Sequence, residues 1–161
     1  MIQLSRIATI VPATFPLPGP FAYRRYALVD RGSYEYCDDV TVPPSVVALA
    51  SDVTSRTLEV VSARLVTLSP GDYVLAHHDH THDDHRVEVI VDLSPAAVPG
   101  SEVRYRRRGA VFFRFPSAPG ATSIVERDSA TQCHHTYISK LATGASVVRL
   151  IVLLTDVAVP A

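Results

Sequence analysis

Seven histidines stand out in this chain because they fall in two groups: five between His77 and His85, and the pair His134-His135. The first group contains a His-x-Asp pattern, His77-His78-Asp79. On a strand, side chains i and i+2 share a face. His77 and Asp79 would then present an imidazole and a carboxylate side by side, with His78 on the opposite face. A histidine from a later strand, His134 or His135, would complete a two-histidine, one-carboxylate face. Such a face binds one side of an octahedral Fe(II) and leaves positions open for a co-substrate and oxygen. Only one of the later pair can point inward, because strand neighbours face opposite ways. His80, His82 and His85 fall in the loop that follows, where exposed histidines are ordinarily solvated. His-x-Asp is a short pattern, and the run His77–His85 also reads as a surface loop with a general affinity for metals.

The elements that must position these residues are mostly strands. Val61, Ala63, Leu65 and Thr67 alternate with Ser62, Arg64 and Val66; Val87, Val89, Val91 and Leu93 alternate with Arg86, Glu88, Ile90 and Asp92. Period-two alternation is the strand signature. Further strands are expected at 27–30, 33–36, 73–79, 102–106, 110–115, 123–126, 135–141 and 147–155. Turn residues separate them at Ser69-Pro70-Gly71-Asp72, Pro95–Ser101, Arg107-Arg108-Gly109 and Pro116–Ala121. The one helix signal follows Pro43-Pro44, with Val46, Val47, Leu49, Ala50 and Val53 at helical spacing, and it should end near Ser55 or Arg56. Pro12, Pro16, Pro18 and Pro20 mark an extended arm, since proline cannot donate to a sheet ladder. Eight or so short strands at this spacing predict an antiparallel sandwich or jelly roll preceded by one helix.

Composition bounds the function. The 161 residues carry 15 Lys+Arg against 16 Asp+Glu, a net charge of −1, so no global field draws nucleic acid or anionic lipid. Hydrophobic residues make up 47%, which excludes a disordered chain, and 12 prolines argue against a helical bundle. Val147–Leu154 is the most apolar run, far short of the roughly 20 residues that span a bilayer. The N-terminal apolar stretch is broken by prolines and does not form a signal peptide. A soluble, cytoplasmic protein is expected. Cys37 and Cys133 have no disulfide or zinc-knuckle spacing; Cys133 reads as a small buried hydrophobe, or as a neighbour of a metal site.

Several segments, in order, resemble the Fe(II)- and 2-oxoglutarate-dependent oxygenases of the prolyl-hydroxylase-like type. Leu68 through Asp79, with Gly71-Asp72-Tyr73 leading into His77-x-Asp79, is similar to that family's entry to its first metal ligands. Arg86–Ser94 resembles the next strand, Gly100-Ser101-Glu102-Val103 the family's Gly-Gly-Glu-Leu segment, and Pro119-Gly120-Ala121 its Pro-x-Gly turn. His135-Thr136-Tyr137 through Leu141 and Gly144 looks like its distal histidine strand. The resemblance covers roughly residues 58–155. It implies a double-stranded β-helix, Fe(II) held by His77, Asp79 and a distal histidine, and 2-oxoglutarate as co-substrate, oxidised by O2 to succinate and CO2. Because Asp79 is present, it also implies hydroxylation, desaturation or ring chemistry rather than halogenation.

Two features depart from the family pattern. The basic residue expected two positions after the last-hairpin glycine is Ser146, so the carboxylate clamp falls to Arg149, fourteen residues after His135. A bidentate guanidinium suits a carboxylate, and Arg149 is the one charge within an apolar run, where a buried cation needs an anionic partner. The distal ligand is either His134 or His135; the spacing to Gly144 favours His135. Tyr73 shares strand parity with Leu75, His77 and Asp79, which predicts a cavity-lining phenol within reach of the co-substrate, or else a wall residue. Arg104, Arg106, Arg107 and Arg108 around Tyr105 read as a solvated basic turn.

The expectation is one domain over residues 1–161: an arm, short strands and a helix over 1–57, and a mainly β jelly-roll (cupin-like double-stranded β-helix) core over 58–157 with the helix packed on it. The function it carries is oxidation, by hydroxylation, of an amino-acid, peptide or other small-molecule substrate selected by the loops 79–86 and 95–101 and the arm. Two other readings are a cupin-type isomerase, lyase or dioxygenase that does not use 2-oxoglutarate, and a non-catalytic metal-binding domain. The first would need no Arg149, and the cupin His-x-His order is not kept at Asp79.

Overall fold

The structure, a computed structural model, describes residues 7–77 and 86–160. Its elements run β1 (Ala8–Pro12), β2 (Arg24–Leu28), β3 (Gly32–Cys37), α1 (Pro44–Thr54), β4 (Leu58–Leu68), β5 (Tyr73–His77), β6 (Arg86–Asp92), β7 (Glu102–Arg107), β8 (Ala110–Pro116), β9 (Ala121–Arg127), β10 (Thr131–His135) and β11 (Val147–Asp156). All pairings are antiparallel, in the order β1-β9-β6-β11-β4-β3-β5-β10-β7-β8, with β2 on the side of β3. The sheet folds over on itself. Ile90 of β6 and Val125 of β9 pack against Val103 and Tyr105 of β7, Phe115 of β8 and Cys133 of β10. β9-β6-β11-β4 therefore face β5-β10-β7-β8 across one interior, and β3 bridges the two halves along one side. This is the expected double-stranded β-helix.

The alternation seen in sequence does not say which side of each strand faces that interior. On β11, Leu150, Val152 and Leu154 point outward into a core shared with Val46 and Ala50 of α1. On β6, Val87, Val89 and Val91 do the same. The helix forms because Pro44 starts it with φ already set, and it stops at Ser55, a left-handed residue at φ 54°. Its apolar stripe covers the outer sheet face, so β6 is buried on both faces, while on β11 Ile151 and Leu153 stay partly exposed on the inner one. The residues of opposite parity, Glu88, Ile90 and Asp92 on β6 and Arg149, Ile151 and Leu153 on β11, are left for the interior.

Several boundaries differ from the sequence expectation; the strand expected at 27–30, for one, is β2 at Arg24–Leu28. β1 is an added edge strand on β9, ending at Pro12, which has no N–H to donate; the next amide, Ala13, donates to the Gly120 carbonyl. The strand expected at 135–141 instead ends at His135: Thr131–His135 pair with β7, after which Ile138 folds over the turn at residues 69–72, donating to the Asp72 carbonyl and accepting from the Gly71 amide. That turn is held by Asp72, whose carboxylate accepts from Arg25, Ser33 and the Ser69 amide. β5, expected to reach Asp79, is described to His77.

Candidate active site inside the barrel

Between the two halves lies a cavity of ≈ 530 Å³, with His135 and Cys133 of β10, Val74 of β5, Glu88 of β6, Arg127 of β9 and Ile151 of β11 among its walls. Its size suits a small-molecule site.

β5 delivers its residues to this cavity through a bulge. Cys133 pairs with position 77, but His135 pairs with Val74, so three steps on β5 oppose two on β10. An extra residue reverses side-chain parity along a strand. Val74 is buried on the cavity wall and Leu75 is exposed. Tyr73 faces away, its hydroxyl donating to the Val29 carbonyl at 3.2 Å. The expectation that Tyr73 lines the cavity and reaches a co-substrate is thereby corrected: simple alternation back from position 77 ignores the bulge. Past the bulge, register sets position 77 opposite Cys133, a cavity residue. Asp79 and the side chain of His77 lie outside the described residues, as do His78, His80, His82 and His85. Among the described residues, no group of three His, Cys, Asp or Glu side chains comes together.

β10 separates the later histidines. Thr131, Cys133 and His135 are buried, alternating with less buried Gln132 and His134. His135 is on the cavity side. His134 is on the other face, where burial and then the charges of Arg106 and Arg104 hold its imidazole below the usual range.

Arg149 does not line the cavity itself. It lies one contact behind, Nη1 at 2.9 Å from His135 Nδ1 and Nη2 donating to Ser101 Oγ at 3.1 Å. It is 1% exposed, and its Nε has no partner. Burial pushes its pKa down to about 10, opposed by the charge of Asp92. Asp92 is occupied elsewhere, accepting from the Ser94 and Ala118 amides. Arg149 is thus a buried cation whose direct partners among the described residues are an imidazole and a hydroxyl. That donor set fits an added carboxylate, which would supply the missing anion and an acceptor for Nε. With His135 alongside, the described part of the pocket fits a metal with a carboxylate co-substrate.

Sequence reasoning missed a second charged group. Glu88 and Arg127 form an ion pair at 2.6 Å with side chains 6% and 2% exposed. The Tyr105 hydroxyl donates to the other oxygen of Glu88 at 2.6 Å. Burial, and then the charge of Glu88, raise the Tyr105 phenol well above its ordinary pKa. Tyr105 therefore belongs to the interior, while Arg104 and Arg107 bond to Glu102 and to Asp128. The signal was present: Glu88 is the one charge in Val87–Val91, just as Arg149 is in Val147–Leu154.

No protein-family model matches the chain, and no curated protein matches it. Solved structures do share its fold. A 2OG-Fe(II) oxygenase family oxidoreductase from Burkholderia pseudomallei superposes with a TM-score of 0.62 at 11% identity, over 84% of this chain and 73% of that one. A prolyl-4-hydroxylase from Pseudomonas putida gives 0.59 at 14% identity, over 84% and 77%. The non-heme alpha-ketoglutarate-dependent carbocyclase SnoK, from nogalamycin biosynthesis, gives 0.60 at 12% identity, over 83% and 68%. At these identities the likeness establishes the double-stranded β-helix.

Proposed function

We propose that this protein is a non-haem Fe(II)- and 2-oxoglutarate-dependent oxygenase that hydroxylates an unactivated C–H bond of an amino-acid, peptide or other small-molecule substrate. The observation that carries the reading is Arg149, a buried guanidinium that bonds no carboxylate among the described residues and contacts a cavity-lining histidine. The overall reaction balances as R–H + O2 + 2-oxoglutarate giving R–OH + succinate + CO2.

His135, with His77 and Asp79, would hold the iron; Arg149 and Ser101 would hold the distal carboxylate of 2-oxoglutarate. The bound metal and co-substrate supply the O2-activating, oxidative decarboxylation chemistry. The protein's own part is to bind and exclude. Val66, Val74, Ile151 and Leu153 make an apolar wall that sheds water from the reacting centre. Arg149, already desolvated, regains an anionic partner only when the co-substrate carboxylate arrives, so it binds that group without further desolvation of its own. Cys37 and Cys133 are both buried. No helix among the described residues is long and apolar enough to cross a membrane.

The test is succinate formation. Protein supplied with Fe(II), 2-oxoglutarate and O2 should convert 2-oxoglutarate to succinate and CO2, and Asp79→Ala should lose this. Metal-loaded protein that leaves 2-oxoglutarate untouched with every substrate tried would count against the reading.

A further inference from the structure

Resting on the oxygenase reading, and naming its substrate class, we propose that the cavity takes a planar aromatic ring, stacked at the mouth on the guanidinium of Arg64, with a substituent pointing from the ring toward His135. The bond hydroxylated is a C–H of that substituent, with 2-oxoglutarate and O2 as co-reactants.

The first support is how Arg64 is held. Its Nε and Nη2 donate to the two oxygens of Asp38 at 2.6 and 3.1 Å, a bidentate pairing that fixes the guanidinium plane. One face of that plane lies over the Tyr36 ring, Cζ 4.5 Å from the centroid. Tyr36 is a wall of a separate hollow that it shares with Ala22 and Arg24, whereas Arg64 is a wall of the barrel cavity. The face opposite Tyr36 is therefore the one turned to the cavity. A guanidinium stacks on aromatic rings through its flat faces. Arg64, with one ring already beneath it, offers the other face to a second.

The second support is that stability does not account for this clamp. The side chains of Arg64 and Asp38 are 42% and 56% exposed, and a solvent-screened pair contributes little to folding. What the pair does is orient: a side chain already ordered loses less entropy when a ligand arrives. It also selects against anions. An anionic ligand approaching the donors of Arg64 would meet the Asp38 carboxylate at the same edge, whereas a neutral ring on the open face does not.

The third support is spacing. Across β4 and β11, Arg64 pairs with Ile151 and Val66 with Arg149. Two residues separate those levels, about 7 Å at roughly 3.3 Å per residue. Arg149 is in turn bonded to His135. Tyr34, Val66, Val74 and Ile151 are cavity walls and give the ring apolar surface to bury. A ring centred at the level of Arg64 reaches the level of His135 only through a substituent, so the ring's own C–H bonds stay at the mouth.

The experiment is calorimetric titration of the full chain with two matched pairs: benzyl alcohol against cyclohexylmethanol, and 2-naphthylmethanol against its decahydro analogue. Each titration is done with and without Mn(II) and 2-oxoglutarate. The saturated rings carry at least as much apolar surface, so burial alone gives the aromatic ones no advantage. At least one aromatic member should bind about fivefold or more tighter than its saturated partner. Arg64→Lys keeps the charge and removes the flat face. It should bring that pair to within about twofold, while a thermal melt reports folding. The matched pairs on the unaltered chain need no variant. Saturated rings that bind as well as aromatic ones, a preference that survives in Arg64→Lys, or no ring compound bound at millimolar concentration overturn the proposal. Binding of 2-oxoglutarate without any aromatic preference leaves the oxygenase reading standing and sinks this one. An aromatic preference that depends on Arg64, with no response to 2-oxoglutarate, does the reverse.

Discussion

Arg149 and His135 share a hydrogen bond whose direction is fixed by chemistry: Nη1 lies 2.9 Å from Nδ1, and a guanidinium can only donate. His135 Nδ1 therefore accepts, and a neutral ring then carries its proton on Nε2. An imidazole that binds a metal through Nε2 needs its proton on Nδ1. The arrangement holds His135 in the form that does not bind metal through Nε2 until Arg149 is drawn to another acceptor.

Metal and 2-oxoglutarate should therefore bind with positive coupling. Manganese affinity, titrated anaerobically by EPR, should rise on adding 2-oxoglutarate, by the order of tenfold. In Arg149→Met the enhancement should shrink, because His135 is no longer held and only direct contact between co-substrate and metal still couples the two. Equal enhancement in both proteins would disprove the coupling.

The interior ion pair should dominate a different measurement. Arg127→Met leaves the Glu88 carboxylate buried against a single hydroxyl donor, and breaking one side of a buried pair costs about 3–5 kcal/mol. Tyr105→Phe removes one hydrogen bond to a charged group, about 1.5–3 kcal/mol. Urea denaturation should rank them in that order.

Gly32 carries a steric prediction. A Cβ built there would lie 2.8 Å from the Tyr73 carbonyl oxygen and 3.2 Å from Val74 Cα, both backbone atoms. Gly32→Ala must push β3 from β5, the contact through which the two halves of the barrel are joined on that side. A loss of about 1–3 kcal/mol is expected from the melting curve.

Acid should unfasten the turn below the cavity. Burial alone would raise the Asp72 pKa, but donors from Arg25, Ser69 and Ser33 outweigh it and hold the carboxyl below its ordinary value of 3.8. A carboxyl whose folded pKa is depressed contributes stability that is present above 3.8 and disappears as pH falls through the folded value. Asp72→Asn should therefore be less stable than the parent at pH 7, and the gap should close as pH drops below that range. A gap that stays constant with pH would mean the charge of Asp72 contributes nothing.

How much of this was legible beforehand follows from where each signal lives. Period two, turn residues and Pro43-Pro44 are local, and they located α1 and most strands within a few residues. The order of motifs then identified the double-stranded β-helix. His135 could be preferred over His134 from spacing, and the structure sets His135 on the cavity side. Tyr73 failed because a bulge is a property of two paired strands, and the extra residue on β5 shows only against β10. Glu88, Arg127 and Tyr105 were overlooked because their meaning is an encounter among β6, β9 and β7. A charge within an apolar run flags such a residue, and Glu88 carries that flag as plainly as Arg149 does.

The most direct measurement of the account is the visible spectrum of the protein loaded anaerobically with Fe(II), before and after adding 2-oxoglutarate. A weak metal-to-ligand charge-transfer band should appear with 2-oxoglutarate, vanish in Asp79→Ala and weaken in Arg149→Ala. Iron bound tightly with no spectral response to 2-oxoglutarate would contradict it.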